Sequence, residues 1–490
     1  YFYNPIMFSS KLFSSKGGKI LLGACTASAA AFPLYNHFSK INSQNGYPSS
    51  YVAPPPTNSS IHADARLPPS LPKLSSSEIH AIISQKENTI EIMSQDCIVE
   101  KLWMSQYAAN KPIEDYYFVE DLDKRSLFLA VLDGHGGTGC AQWISKNMTP
   151  VWKRGIYEMT ERVKEVEAYY QVDDIKRNVD KIEVSKEKRE DLKKSLDNKL
   201  MYPELLKMSF AFLDQMFFDR AVDSRDIEKA IPGSCAVAAY ALDDELYVAN
   251  LGDCRAVLGR KHWWTGKWEA VPLTKDQTAI SERESLQKEH PNDPNVVSEG
   301  RIKGILQPSR SFGDVILKVP GLLAAKYVSL YAPWEPPYVT PIPEVTQFNL
   351  KPNKGDRFII FATDGLWDAL SSDEAVQLVG AHLDSSSNDN VCTSLIRKAL
   401  CQNTLQQQMN PPLSDEDSLS VVLTCPEDMR RNLHDDITVT VAVLRQDYKL
   451  SPQNKDQLPD AERVHYPVEI EDLMRKSKAH AMKIQRASNA

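Results

Sequence analysis

Short apolar runs that end at turn-forming residues predict a β-rich body for this chain. The predicted strands cover residues 127–132, 236–242, 246–251, 255–258, 357–362 and 437–444. Asp243 and Asp244 stand between two of these runs, and a short polar break between apolar segments is typical of a tight hairpin. The last run is rich in β-branched side chains, which favour a sheet.

Helices are predicted between the strands, and one of them has a defined start. Ser371 and Glu374 have the spacing of a capping box, in which each side chain accepts a hydrogen bond from the other residue's backbone N–H. The apolar residues that continue one face of this helix are Ala375, Val379 and Leu383.

Residues 153–199 have a different composition from the rest of the body. About half of them are charged, with both signs mixed, which is typical of an exposed helix. We therefore predict a charged helical insertion here. Two interpretations stay open, a solvated surface and a docking surface for a partner.

The composition excludes several classes of protein. The chain has 490 residues, 42% hydrophobic and 25% charged, which excludes disorder throughout, collagen and a disulfide-dense miniprotein. Its formal net charge of −8 disfavours a nucleic-acid partner, because affinity for polyanions comes from clustered Lys and Arg. The eight Cys form no C-x-x-C pair, so a zinc site and a disulfide framework are not predicted.

The N-terminal part predicts targeting rather than a folded domain. Residues 1–63 contain no Asp or Glu, and we interpret 1–42 as a targeting segment and 43–85 as a Pro- and Ser-rich linker. The apolar stretch Ile20–Phe32 is shorter than the roughly 20 residues that a membrane span needs. A mitochondrial presequence, with inner-membrane association through 20–35, competes with a secretory signal and with a disordered tail. Residues 447–490 are interpreted as a C-terminal tail.

Acidic residues stand at the ends of the predicted strands. Asp133 and Asp364 end strands and are each followed by Gly, and Asp253 follows a strand and Gly252. Two acidic pairs, Glu114-Asp115 and Asp435-Asp436, lie beside further extended segments. If these ends converge, they form an oxygen-only site of the kind that Mg²⁺ and Mn²⁺ prefer. The spacing alone favours a divalent-metal hydrolase.

Seven motifs in order resemble the metal-dependent serine/threonine protein phosphatases of type 2C. They are PIED at 112–115, VLDGHGG at 131–137, GSCAV at 233–237, VANLGDCRA at 248–256, SRSFGD at 309–314, ATDGLWD at 362–368 and DDITV at 435–439. The resemblance covers roughly residues 95–446, and we predict a catalytic domain over 86–446. It implies an α+β fold, a sandwich of two antiparallel sheets flanked by helices.

Within that family the chain is most similar to the mitochondrial pyruvate dehydrogenase phosphatase branch. The similar segments are 109–115, 281–284, 289–291 and 312–315. Typical members have Arg five residues before the first metal-site Asp, where it binds the substrate phosphate, and this branch has Asn, here Asn110. Without a guanidinium, the metals or another cation must hold the phosphate.

The resemblance also implies a metal site that holds two Mg²⁺ or Mn²⁺ ions, with a third ion in many members. Asp133 would bridge two ions. Asp364 and Asp435 would complete the shell of one ion, and Glu114 and the Gly134 carbonyl would bind the other.

Further residues receive roles from the same resemblance. Asp115 would orient metal-bound water, Asp253 would bind the third ion, and His135 would be the general acid. Asp314 and Asp436 match family positions, as metal ligands or as support for the loops. Hydrolysis would proceed by attack of a metal-bridging hydroxide on phosphoserine, without a covalent phosphoenzyme.

Two other classes of protein fit these residues less well. A haloacid-dehalogenase-type phosphatase needs a second Asp two residues after the first, and His135 stands there instead. An inactive scaffold predicts lost ligands, whereas the four main acidic ligands are present. The expected substrate is the phosphorylated pyruvate dehydrogenase complex in mitochondria, and the alternative is another mitochondrial phosphoprotein.

Overall fold

The computed structural model describes residues 73–180, 198–320, 322, 331–385, 387–402, 413–427 and 429–450. The predicted targeting segment, residues 43–72 of the predicted linker and the tail from 451 onward lie outside the described residues, as does the middle of the charged segment. Among the described helices none is long and apolar enough to cross a membrane.

Two antiparallel sheets form the centre of the described part. In spatial order the first contains β1 (Asn88–Glu91), β2 (Val99–Tyr107), β13 (Ile437–Leu444), β12 (Asp356–Ala362), β7 (Arg255–Lys261) and β8 (Trp268–Pro272). The second contains β11 (Glu344–Asn349), β6 (Glu245–Leu251), β5 (Gly233–Leu242), β4 (Ser126–His135) and β3 (Tyr116–Asp123). A separate ribbon pairs β9 (Val297–Ser298) with β10 (Arg301–Ile302).

Helices flank both sheets. They are α1 (Ser76–Ile83), α2 (Gly139–Asp180), α3 (Asn198–Asp223), α4 (Arg283–Glu289), α5 (Val315–Lys318), α6 (Asp364–Trp367), α7 (Ser372–Asp384), α8 (Val391–Cys401) and α9 (Asp415–Thr424). Short 3₁₀ turns cover Ser84–Lys86, Ile227–Ala230, Pro352–Lys354 and Arg430–Asn432.

The strand β4 shows why the predicted runs are continuously apolar. Successive side chains of a strand point to opposite faces. Leu129 and Val131 pack between the sheets, whereas Ala130 and Leu132 pack under α2 and α3. Both faces of this strand are therefore buried, and the α+β sandwich predicted from the sequence is confirmed.

Several local predictions are also confirmed. The predicted strands all occur, with boundaries within a few residues, and Asp243 and Asp244 form the turn between β5 and β6. Ser371 caps α7 through the predicted capping box with Glu374. The capping stabilises the start of the helix because it satisfies N–H groups that lack a partner within the helix.

The structure differs from the sequence-based domain boundaries at two places. Helix α1 lies within the segment interpreted as linker, where Ser75 caps the helix and Ile79 and Ile83 are buried in the core beneath the first sheet. The charged segment continues a helix that begins at Gly139, and Trp152 packs fully buried in the core. A capping box and buried side chains therefore extend ordered structure beyond the predicted limits.

Candidate active site

Three carboxylates meet where the two sheets adjoin. Asp133 lies near the end of β4, Asp253 lies in the turn between β6 and β7, and Asp364 is the first residue of α6, after β12. Carboxylate oxygens of these residues lie within 4.8 Å of one another. The sequence separates these residues by more than a hundred positions, and the sandwich brings them together.

The electrostatics of this cluster suit a cation. Burial, together with the charges of the neighbouring acids, raises the pKa of Asp133 and of Asp364 well above the usual range. Burial also raises the pKa of Asp253. Like charges at short distance in a low dielectric destabilise the ionised forms, and a bound divalent cation would reverse that effect. The hard oxygen donors fit Mg²⁺ or Mn²⁺.

Asp435 lies beside this cluster and forms an ion pair with an arginine side chain. Its charge contributes to the raised pKa of both Asp133 and Asp364. Its Oδ1 accepts a hydrogen bond of 2.7 Å from the backbone N–H of Asp436 and forms an ion pair with Arg431. Asp435 therefore interacts electrostatically with Asp133 and Asp364, and its role as a metal ligand stays a prediction.

The buried carboxylate of Asp436 holds the loop that carries Glu114. Asp436 Oδ1 accepts hydrogen bonds from the backbone N–H groups of Ala109 (2.6 Å) and Asn110 (2.9 Å). Its Oδ2 accepts one from the Glu114 N–H (2.7 Å) and one from Asn110 Nδ2 (3.1 Å). The predicted phosphate-site residue Asn110 thus donates its amide to Asp436, and Asp436 has the geometry of a loop support.

Gly134 allows this loop to approach β4. A Cβ atom at Gly134 would lie 2.3 Å from the backbone oxygen of Glu114, which is far inside van der Waals contact. Burial raises the pKa of the Glu114 carboxyl, and the charge of Asp436 adds to the effect. The two predicted ligands of the second ion, Glu114 and Gly134, are therefore adjacent in the structure.

Asp115 is buried among threonine hydroxyls. Its Oδ2 accepts hydrogen bonds from Thr363 Oγ1 (2.9 Å) and Thr438 Oγ1 (2.7 Å). Burial raises its pKa, and the charge of Asp436 raises it further. These threonines stand beside Asp364 and after Asp436, so they link Asp115 to both acidic strand ends.

His135 contacts a carboxylate from a distant loop. Its Nε2 lies 2.8 Å from Asp314 Oδ2. Burial lowers the pKa of His135, but the charge and the hydrogen bond of Asp314 outweigh that effect and raise it. Asp314 has a left-handed backbone conformation, with a φ of 49°. The contact with Asp314 therefore favours the protonated form of the imidazole, and the predicted role of His135 as general acid stays a prediction.

A buried ion pair fixes the loop that carries Asp314. Asp214 on α3 accepts a 2.7 Å hydrogen bond from the Gly313 N–H and pairs with Lys318 at 2.8 Å. Both side chains of the pair are at most 10% exposed. This pair has no recognisable signal in the sequence, because neither residue belongs to a motif.

Arg431 and Asp368 are further polar residues near the cluster, and the sequence motifs gave neither of them a role. Arg431 lies on the 3₁₀ turn that precedes Asp435, and the i,i+4 spacing of these two residues was a signal that could have been used. Burial raises the pKa of Asp368, and the charges of Asp435 and Asp276 add to that effect.

Comparison with known proteins identifies the family. The family profile described as "Protein phosphatase 2C" matches residues 161–407. The chain belongs to the protein phosphatase 2C family. It is therefore a metal-dependent protein serine/threonine phosphatase, as the motif resemblance predicts.

Two relatives named as phosphatases are similar to this chain over most of its length. The phosphatase is 29% identical over 448 residues to human mitochondrial "[Pyruvate dehydrogenase [acetyl-transferring]]-phosphatase 2", covering 75% of this chain and 83% of the relative. It is 31% identical over 367 residues to a protein phosphatase 2C homolog of Schizosaccharomyces pombe, covering 69% and 78%. A solved serine-threonine phosphatase 2C of Toxoplasma gondii is similar with a TM-score of 0.44 and 17% identity, covering 73% and 99%.

Proposed function

We propose that this phosphatase hydrolyses phosphoserine on the pyruvate dehydrogenase complex in mitochondria and thereby activates the complex. The observation that carries the hydrolytic part is the carboxylate cluster of Asp133, Asp253 and Asp364. The human relative, which is named as a mitochondrial pyruvate dehydrogenase phosphatase, supports the proposed substrate and the proposed compartment. The acid-free segment 1–63 is consistent with import into mitochondria.

The proposed metal site uses acids from both sheets. Asp133 would hold both ions, one of them together with Asp364 and Asp435 and the other together with Glu114 and the Gly134 carbonyl. When bound, divalent cations would acidify water for attack near neutral pH and offset the charge of the phosphate oxygens. Asp253 lies close enough to Asp133 and Asp364 to bind a cation with them, and we assign it to a third, weaker site.

The protein's own groups then orient the reactants and move the proton. Asp115, held by two threonine hydroxyls, orients the attacking water. His135 donates a proton to the departing serine oxygen, and Asp314 holds the imidazole for that transfer. The hydrolysis therefore needs no covalent bond between enzyme and phosphoryl group.

We also propose a division of the chain that follows from this function. The catalytic domain comprises the described residues from α1 to β13, and it includes the charged helical segment of 153–199. Residues 1–42 direct the chain to mitochondria, with 20–35 available for association with the inner membrane, and 447–490 form a tail.

The test is recovery of pyruvate dehydrogenase activity. The purified full chain is incubated with phosphorylated complex and Mg²⁺ or Mn²⁺, and the activity of the complex is followed beside phosphate release. We expect both to rise together and EDTA to stop both. If a generic phosphoserine peptide is hydrolysed while the complex stays inactive, another phosphoprotein is the substrate. If neither is hydrolysed by folded protein, the chain is a scaffold.

A further inference from the structure

A charged donor besides the metal ions would strengthen the binding of a substrate phosphoryl group, and position 110 does not provide one. Asn110 carries no charge, and its amide nitrogen already donates to Asp436. The second N–H of that amide is an uncharged donor, and the amide oxygen is an acceptor that repels phosphate oxygens, so the side chain offers phosphate at most one neutral hydrogen bond. A charged donor must come from another element.

Arg431 is positioned to be that donor. It lines the same surface pocket as Ala109, Asn110 and Lys111. Its Nη1 pairs with Asp435, which fixes the guanidinium at the edge of the carboxylate cluster, and its side chain is 52% exposed toward solvent. A guanidinium has five N–H donors in a planar fork that matches phosphate, so one contact to Asp435 leaves capacity for a ligand.

Arg431 also interacts electrostatically with Asp364 and Asp133, beyond its contact with Asp435. Its own pKa is raised: burial opposes the increase, and the charges of Asp435, Asp364 and Asp133 outweigh burial. Its charge in turn lowers the pKa of Glu114, against the larger effect of burial. Arg431 therefore interacts electrostatically with the acids that are expected to hold the metals.

The two neighbouring basic side chains, Lys111 and Arg430, contact other groups. Lys111 forms an ion pair with Glu427, and both side chains are at least half exposed. Arg430 donates from Nε to the Cys425 carbonyl at 3.2 Å and lies over the Tyr107 ring. Surface pairs such as that of Lys111 contribute little free energy, so Lys111 serves as a matched control within the same pocket.

We propose that Arg431 binds the substrate phosphoryl oxygens and takes the place of the arginine that the family typically has at position 110. This inference rests on the proposed hydrolysis at the carboxylate cluster. Arg431 reaches the site from the turn before β13, whereas position 110 reaches it from the loop before β3. Both positions line the same pocket, but they belong to different segments of the chain.

Inorganic phosphate is the probe that tests Arg431 without turnover. The full chain is saturated with Mn²⁺, and the dissociation constant of phosphate is measured by equilibrium dialysis. We expect R431Q to weaken phosphate binding roughly 10- to 100-fold, because a hydrogen bond to a charged group is lost. R431K keeps the positive charge but not the planar set of N–H donors, so its dissociation constant for phosphate should lie between those of R431Q and the natural chain. K111Q should change the constant by less than about threefold.

The affinity for Mn²⁺, measured by titration calorimetry without phosphate, separates binding from positioning. The proposal requires R431Q to bind Mn²⁺ at least as tightly as the natural chain, since removing the cation that pairs with Asp435 leaves the acids no less available to a metal ion. It is overturned if phosphate affinity is unchanged in R431Q and R431K, if phosphate and Mn²⁺ affinities fall in parallel, or if K111Q loses as much as R431Q. Phosphopeptide turnover by the natural chain is scored separately, and its absence would count against the proposed function.

Discussion

His135 Nε2 and Asp314 Oδ2 are 2.8 Å apart, although 179 positions separate the two residues in the chain. The contact joins the end of β4 to the loop before α5. Gly233 lies against it so closely that a Cβ there would be 2.1 Å from Asp314 Oδ2. The pair is thus enclosed on one side by backbone, which limits the orientations available to the imidazole.

Replacing Asp314 by Asn tests the role of that contact. The Asn variant keeps the shape of the side chain but loses the charge that favours protonated His135. We expect kcat to fall roughly 10- to 100-fold, because general-acid catalysis depends on a positioned and protonated donor. KM for a phosphoserine peptide should change by less than about threefold, since this contact matters for proton transfer. Steady-state kinetics measures both, with exposed E284Q as the control, and an unchanged kcat would remove Asp314 from the mechanism.

Gly134 gives a second prediction, which has a matched control five residues away. In G134A the new Cβ collides with the Glu114 carbonyl, so the loop must move away from β4. We expect stability to fall by about 1–3 kcal/mol and Mn²⁺ affinity to fall at least roughly tenfold. In G139A the Cβ meets no atom within 4 Å, at the first residue of α2. That variant should keep its metal affinity; calorimetry on both variants decides, and equal losses would refute the explanation.

The crowded carboxylates predict an unusual effect of removing a metal ligand. In D133N one buried charge disappears, so the metal-free protein should become more stable, with a melting temperature higher by about 2 °C or more. The stabilisation by Mn²⁺ should at the same time disappear, because a ligand stabilises only the state that binds it. Thermal unfolding in EDTA and in Mn²⁺ measures both effects. A metal-free variant that melts lower than the natural chain, with the Mn²⁺ shift intact, would contradict the cluster's proposed role.

Asp243, in the turn between β5 and β6, predicts a dependence of stability on pH far from the active site. Burial raises the pKa of Asp243 from 3.8 to about 6, although Arg125 pairs with it at 3.2 Å. The folded state therefore binds the proton more tightly than the unfolded state, and the natural chain loses stability as the pH rises from about 4 to about 6.

The variant D243N does not titrate and tolerates the left-handed backbone at this position. Its stability relative to the natural chain should therefore increase with pH by up to about 3 kcal/mol and become constant above pH ~7. Urea unfolding at several pH values measures this difference. A difference that is independent of pH, or that decreases with it, would show that Asp243 is ionised normally in the folded chain.

The sequence predicted the strands that are buried on both faces better than the strands at the edges. The run in β4 is apolar throughout because its two faces lie in two different parts of the core. Strand β3 lies at the edge of its sheet, with mixed exposure and acidic residues, and it gave no recognisable run. Ser75 was interpreted as part of a linker, because its role as an N-cap can be recognised only after the following helix, α1, has been predicted.

The site acids could be found from motifs, whereas their supports could not. Asp436 and Glu114 are 322 positions apart, so no local pattern reveals that one holds the backbone of the other. The same is true of Asp214, which supports the loop of Asp314 from a helix without a motif. The acidic residues of the site therefore lie in short, recognisable segments, whereas the contacts that position them form only in the folded chain.

The placement of Asp133 on one sheet and Asp364 beside a strand of the other has a consequence for misfolded or partly folded molecules. A slip of one sheet along the other by a single residue would move these carboxylates apart by about 3.3 Å, more than a shared ion tolerates. Catalytic activity therefore depends on correct packing of the two sheets. Molecules whose sheets are packed out of register are inactive, so the specific activity of a preparation is proportional to the fraction of correctly folded molecules.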